Sequence, residues 1–174
     1  MRRAGCVEVL IGFESPVAQG LDGLELRRNW KHERYGQYQR AIECIQAAGI
    51  RVNACFVVGL DGHDPTVFDA LLAFVHEARP FDVQVTVPTP FPGTPFYRQL
   101  KAEGRLLADD AWERCTLFDI NFQPRGMTVE ELRAGLKRLV VALYNEDATR
   151  ERREYFRKHC LRNALRRRPL RFAA

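Results

Sequence analysis

The sequence predicts an α/β fold built on parallel strands. Three apolar runs of strand length alternate with two stripes of helical period, and the connections are long enough for crossovers that return each strand in the same direction. The first two strands also end in the same short pattern. In barrels and doubly wound sheets ligands bind at the carboxyl ends of the strands, so matching ends predict a shared mouth.

The first strand is Val7-Glu8-Val9-Leu10-Ile11-Gly12-Phe13, closed by Glu14-Ser15-Pro16. A charged, glycine-containing loop follows through Asp22, Gly23 and Asn29. Tyr38, Ala41, Ile42, Ile45 and Ala48 then recur at three- and four-residue steps, the stripe of an amphipathic helix. Gly49 sits where a left-handed helix terminus favours glycine. The second strand runs from Arg51 to Gly59, with Val52, Cys55, Phe56, Val57 and Val58 inside it. Gly62-His63-Asp64-Pro65 is read as a turn into a second helix, with Asp64 as cap and Pro65 in its first turn. Phe68, Leu71, Leu72, Val75 and Ala78 form the buried stripe of that helix. The third strand, Asp82 to Val87, alternates Val83, Val85 and Val87 and stops at Pro88.

The repeat aligns Val9-Leu10-Ile11-Gly12-Phe13-Glu14 with Phe56-Val57-Val58-Gly59-Leu60-Asp61. Each copy ends in glycine, an apolar residue and a carboxylate, so Glu14 and Asp61 are expected at one mouth. After the third strand, Thr89-Pro90-Phe91-Pro92-Gly93-Thr94-Pro95 makes a stiff elbow, and a short helix through Phe96, Tyr97 and Leu100 follows. Leu117 to Phe122 is read as a further strand. Thr128-Val129-Glu130-Glu131 is a capping box. Val129, Leu132, Leu136, Leu139, Val140 and Leu143 then mark a long helix, with more helix into Tyr155, Phe156 and Leu165. The chain divides into residues 1–126, carrying the strands, and 127–174, a helical extension.

With 174 residues, 46% of them hydrophobic and 28% charged, the chain has about one domain's worth of material and can bury a core. No apolar run approaches the ~20 residues of a membrane span and no signal peptide opens the chain, so a soluble, cytoplasmic protein without a membrane partner is expected. The net charge of +5 is unevenly placed. Residues 150–174 hold ten Lys/Arg against two Asp/Glu, a net of +8, which leaves the other 149 residues at −3. The body is mildly acidic and the tail carries the basicity. Cys6, Cys44, Cys55, Cys115 and Cys160 are too scattered for a CxxC or CxxxC pair. An odd, dispersed set argues against a disulfide framework and against a local zinc or iron–sulfur site, so no metal ligands are assigned. Cys6 and Cys55 are read as small core residues.

Gly12-Phe13-Glu14-Ser15, the segment from Gly49-Ile50 to Val57-Val58-Gly59-Leu60, and Thr89 to Tyr97, taken in that order and spacing, resemble the C-terminal half of a radical S-adenosylmethionine enzyme. The branch most resembled often carries a cobalamin-binding domain, and the helical extension after Gly126 resembles it too. The resemblance implies the last three βα units of a partial (β/α) barrel. Glu14 and Ser15 would stand at the fourth-strand tip, beside the ribose or amino-acid part of S-adenosylmethionine. Cys55, Val57, Gly59 and Gly62 occupy a fifth-strand motif near the adenine, in which the usual first glycine and final glutamate are absent. Asp61 offers a carboxylate one residue early, and Pro90 and Phe91 fall at the sixth-strand tip, where the family packs adenine. A carboxylate suits a ribose diol, and apolar walls suit adenine. The assigned cofactor-binding residues are Glu14, Ser15, Val57, Gly59, Asp61, Pro90 and Phe91; no catalytic residue is assigned.

The family's CxxxCxxC cluster motif is absent, as is the glycine-rich acidic motif of its second strand. The resemblance therefore implies a fragment or split half, inactive alone, that contributes part of a pocket for S-adenosylmethionine and a small-molecule substrate. The 4Fe–4S cluster, and cobalamin where used, belong to an intact member or to a partner chain. The expected partner is an N-terminal radical S-adenosylmethionine half, or a second copy paired through the exposed first strand. Two other readings compete. In the first, an assembly or nucleic-acid-binding protein uses the tail, with Arg157, Lys158, Arg162, Arg166-Arg167-Arg168 and Arg171 on phosphates and Tyr155 and Phe156 stacking. No base-reading module accompanies that tail, so nucleic acid is not the expected partner. In the second, a hydrolase uses His32, His63 or His76 with nearby carboxylates, although no nucleophile motif accompanies them.

Overall fold

A computed structural model describes residues 1–22 and 29–166. Three strands, β1 (Glu8–Glu14), β2 (Arg51–Val57) and β3 (Asp82–Thr86), form one parallel sheet in the order β1-β2-β3. The helices are α1 (Trp30–Arg34), α2 (Tyr38–Ala47), α3 (Val67–Ala78), α4 (Pro95–Ala102), α5 (Val129–Tyr144), α6 (Glu146–Tyr155) and α7 (Arg162–Arg166). A π-helical stretch, Phe156–Leu161, joins the last two. The βαβ crossovers are as the sequence predicts, and Gly49 takes the left-handed φ of 78° expected just beyond α2.

Alternation along β2 divides the sheet into two unlike faces. Val52, Ala54, Phe56 and, just beyond the strand, Val58 are fully buried on one face. Register brings Val9 and Ile11 of β1, and Val83 and Val85 of β3, to the same side. That face packs with Ile42 of α2 and Phe68, Leu71 and Val75 of α3. Phe56 anchors it, with Phe13 stacked at 5.9 Å and Phe74 edge-on at 5.5 Å. Each large apolar side chain buried this way stabilises the fold by about 1.5–3 kcal/mol.

The opposite face carries Leu10, Gly12, Asn53, Cys55, Val57, Gln84 and Thr86. Leu10 is 66% exposed and the others are half-buried. Parallel sheets are normally covered on both faces, so a face covered only in part, and open at Leu10, is unusual; it is called the bare face below. β1 is also an edge strand.

Neither Cys6, which precedes β1, nor Cys55, on the partly covered face, is a core residue: both are half-buried. Two expectations about elements also fail locally. The second helix starts at Val67, not at Asp64-Pro65. Asp64 accepts a hydrogen bond from the Thr66 amide at 2.8 Å and another from its hydroxyl, which makes a turn before the helix in place of a cap. Leu117 to Phe122 is not a strand. Thr116 bonds Asp119 at 2.6 Å and holds the segment in a turn, and Phe122 makes only one isolated bridge, to Leu106. The Leu117 carbonyl still reaches β3's neighbourhood, accepting from the Val87 amide at 2.9 Å.

The short helix after the elbow begins as expected, with Thr94 accepting from the Tyr97 amide at 3.2 Å and Pro95 in the first turn. The capping box forms in full: Thr128 accepts from the Glu131 amide at 3.1 Å, and the Glu131 carboxylate accepts from the Thr128 amide at 2.7 Å. Leu132, Leu139 and Leu143 of α5 belong to the same buried cluster as the sheet. α6 reaches the start of β3, where Arg153 pairs with Asp82 at 2.9 Å, and Phe156 meets Phe81 edge-on at 5.3 Å. No described helix is long and apolar enough to cross a membrane.

Candidate functional site

The carboxyl ends of the three strands gather most of the residues singled out in the sequence. At the end of β1 the register slips between Gly12 and Glu14, and Glu14 takes a left-handed φ of 65°. That backbone is uncommon outside glycine, asparagine and aspartate. It folds the carboxylate back over the strand: a side chain at Gly12 would place its Cβ 2.4 Å from Glu14 Oε1. Glycine at position 12 is what leaves room for the acid. Gly12 is in register with Cys55, so the carboxylate lies toward the bare face. There the Cys55 thiol is pushed up from its ordinary pKa, first by burial and then by the negative charge of Glu14. Glu14 is held by Lys31 at 2.6 Å, with each side chain about a quarter exposed. Arg27 and Arg28, the cations that precede Lys31 in the sequence, lie outside the described residues.

Ser15 turns the other way. It is fully buried, and its Oγ lies 2.6 Å from the Val17 carbonyl, 3.0 Å from the Val17 nitrogen and 2.8 Å from His63 Nε2. A hydroxyl has one proton and two acceptor sites. Assigned from this network, its proton goes to the Val17 carbonyl, and both the Val17 N–H and the His63 Nε2–H donate to Oγ. The pair ties the loop after β1 to the loop after β2. Gly20 closes the contact, since a Cβ there would sit 2.0 Å from His63 Nε2. His63 is 1% exposed, its Nδ1 has no partner, and burial lowers its pKa to about 4 in spite of the opposing pull of Asp64. A sealed imidazole without a carboxylate on its second nitrogen is a structural pin. The hydrolase reading therefore loses its central histidine. His32 and His76 are exposed on helices and bring no such pair among the described residues.

At the end of β2, Val57 is half-buried on the bare face and Gly59 is buried with φ 91°. The Asp61 carboxylate is engaged by two guanidinium groups, Arg105 at 2.5 Å and Arg125 at 2.9 Å. Glu103 closes the ring with contacts of 2.8 and 2.9 Å to the same two arginines. Glu103 is thereby held below its ordinary carboxylate pKa, chiefly by the hydrogen bond from Arg105. Beyond β3, Pro90 is buried in the elbow while Phe91 is 38% exposed. The strand tips thus present an acid at Glu14 and apolar surface at Val57 and Phe91. Ser15 and Asp61 are turned into internal contacts.

All five cysteines are free, and among the described residues no three His, Cys, Asp or Glu side chains come together to hold a metal. A 4Fe–4S cluster does not fit these residues, and electron transfer is not assigned to them. The stacking role considered for the tail's aromatics is not open to Phe156, which is 3% exposed. Tyr155 is stacked with His159 at 5.0 Å and carries the Arg79 guanidinium at 4.9 Å. Arg167, Arg168 and Arg171 lie outside the described residues.

The Ser15–His63 contact was the site feature missed in the sequence. Its two residues are 48 apart, and the only signal was a glycine, Gly20, in a loop that could have been any turn.

Comparison with known proteins adds three findings. Residues 94–172 match a family described as a domain of unknown function (DUF4070). The chain is similar to a bacteriochlorophyllide d C-12(1)-methyltransferase of Chlorobaculum tepidum, with 25% identity over 150 residues, covering 86% of this chain and 31% of that protein. It is also similar to a hopanoid C-2 methylase of Rhodopseudomonas palustris, with 26% identity over 110 residues, covering 63% of this chain and 20% of that protein. The chain spans less than a third of the length of either relative. Its resemblance to methyl-transferring enzymes therefore concerns one segment of them.

Proposed function

We propose that this chain is the C-terminal half of a radical S-adenosylmethionine methyltransferase barrel, its last three βα units, supplying part of the pocket for S-adenosylmethionine and for a small-molecule methyl acceptor. The observation that carries the reading is the partly covered face of a parallel sheet whose β1 edge is unpaired among the described residues, with Glu14 folded over that face. Such a face is the inner wall of a barrel that further strands complete. The similarity to a methyltransferase and a methylase, each more than three times as long as the matched segment, supports the same reading.

In this proposal Glu14 accepts hydrogen bonds from the ribose diol, with Lys31 holding the carboxylate in place. Val57 and Phe91 line the adenine side, with the buried Gly59 and Pro90 behind them. Ser15 and Asp61 act as positioning residues, through His63 and through Arg105 and Arg125. S-adenosylmethionine supplies the adenosyl and methyl groups, while the 4Fe–4S cluster and any cobalamin are held outside this chain.

Co-expression with an N-terminal half bearing CxxxCxxC is the test. The expected result is a co-purifying complex that binds S-adenosylmethionine, with affinity weakened about tenfold or more by Glu14→Gln, as befits loss of a charged hydrogen-bond acceptor. Failure of the two halves to associate, or unchanged affinity in the Glu14 variant, would count against the proposal.

A further inference from the structure

A cavity of about 150 Å³ lies between α3, α5 and α6, toward the end of α3 that leads into the start of β3 and so away from the strand tips. Its walls are mostly apolar, with Leu72 and Val75 from α3 and Ala142 and Leu143 from α5. Two arginines line it as well, Arg79 at the end of α3 and Arg152 on α6.

Both arginines lack what normally accompanies a guanidinium in such a place. Arg152 is 6% exposed, and neither its Nε nor its Nη2 has a hydrogen-bond partner. A buried charge without a counter-ion is strongly unfavourable. Asp82 and Glu151 attract it only through space: neither carboxylate makes a hydrogen bond or ion pair with Arg152, and Asp82 is turned to Arg153 at 2.9 Å and to the Val83 amide at 3.1 Å. Desolvation accordingly holds the Arg152 pKa below its ordinary value. Arg79 makes no ion pair with a described residue. Its guanidinium lies over the Tyr155 ring at 4.9 Å, its backbone is in the left-handed region at φ 45°, and its one side-chain hydrogen bond is a long 3.4 Å to the His76 carbonyl. Glu151 is the single acid lining the cavity, against these two arginines and His76.

We propose that this cavity is a binding site for a small organic monoanion, a carboxylate on a short alkyl chain. Arg79, at the half-buried rim, and Arg152, behind it, neutralise the carboxylate, and the chain lies against Leu72, Val75 and Leu143. The apolar walls select against inorganic anions, which would leave them facing empty space. The arginines select against neutral alcohols of the same shape. Water filling the cavity would supply hydrogen-bond acceptors but no charge.

The test is a titration of the 174-residue chain with pentanoate, followed by calorimetry and by the side-chain Nε–H resonances of arginine. Saturable binding is expected with a Kd on the order of millimolar, the range open to a ligand of so few atoms. 1-Pentanol and inorganic phosphate should each bind at least tenfold more weakly. Arg79→Met and Arg152→Met should each weaken pentanoate about tenfold or more. If Arg152→Met alters the fold, Ala142→Phe keeps both arginines and fills the cavity, and it should abolish binding. No saturable pentanoate binding, equal binding of phosphate, or retention of binding in Ala142→Phe would overturn the proposal.

Discussion

His63 ties acid stability to one buried side chain. The imidazole is 1% exposed, donates to Ser15 through Nε2 at 2.8 Å and leaves Nδ1 without a partner. Protonation would bury a charge with no acceptor for the second N–H, which is why the pKa falls from 6.5 to about 4. In the unfolded chain the ring takes up a proton near pH 6.5, while in the folded protein it does so only near 4. Between those values the unfolded state binds more protons, so stability is complete above pH 6.5 and is lost as the pH falls toward 4. At about 1.36 kcal/mol per tenfold change in proton affinity, the interval is worth about 3 kcal/mol, and it is complete near pH 4. His63→Gln keeps a hydrogen-bond donor for Ser15 and removes the titration. Urea unfolding of both proteins at pH 7.5 and 4.5 checks this. Carboxylates titrating in the same range cancel in the difference, so wild type should lose about 2–3 kcal/mol more than the variant. Equal losses would refute the reasoning, as would a histidine resonance for His63 that titrates near 6.5.

Three further substitutions probe other parts of the argument. Gly59→Ala adds a Cβ 2.8 Å from Leu132 Cδ2 at φ 91°, and should destabilise the chain by about 1–3 kcal/mol in urea unfolding, by strain and by displacing α5. Thr128→Ala removes the acceptor for the Glu131 amide, so α5 should lose about 1 kcal/mol, read as a lower urea midpoint with unchanged slope. Arg152→Met replaces an unpartnered buried charge with an apolar chain of similar length; without ligand it should raise the thermal midpoint, by about 1–3 kcal/mol of added stability.

Periodicity and punctuation made most of the sheet legible in the sequence. The alternation of Val83, Val85 and Val87, the stripe from Tyr38 to Ala48 and the Thr128–Glu131 box each specify an element through contacts within a few residues. Leu117 to Phe122 shows where that logic ends. Its composition suits a strand, but Thr116 captures Asp119 locally, and Phe118 is left 57% exposed. The site divided along the same line. The repeat of glycine, apolar residue and carboxylate found both strand ends, yet it could not tell that Glu14 folds over the sheet while Asp61 is drawn to Arg105 and Arg125. Those outcomes depend on residues 17 to 64 positions away. The emptiness around the Arg152 guanidinium is also a property of packing alone.

The edge position of β1 gives the strand two chemically distinct sets of amides. The Val7 carbonyl accepts from the Arg51 amide, so with a period of two the N–H groups of Val9 and Ile11 point toward β2, while those of Glu8, Leu10 and Gly12 point outward. In deuterated solvent the inner set should exchange slowly and the outer set quickly. The strand thereby carries a built-in isotope ruler. A chain that docks along this edge in register slows Glu8, Leu10 and Gly12 and leaves their neighbours unchanged, whereas one that covers only the bare face slows neither set selectively.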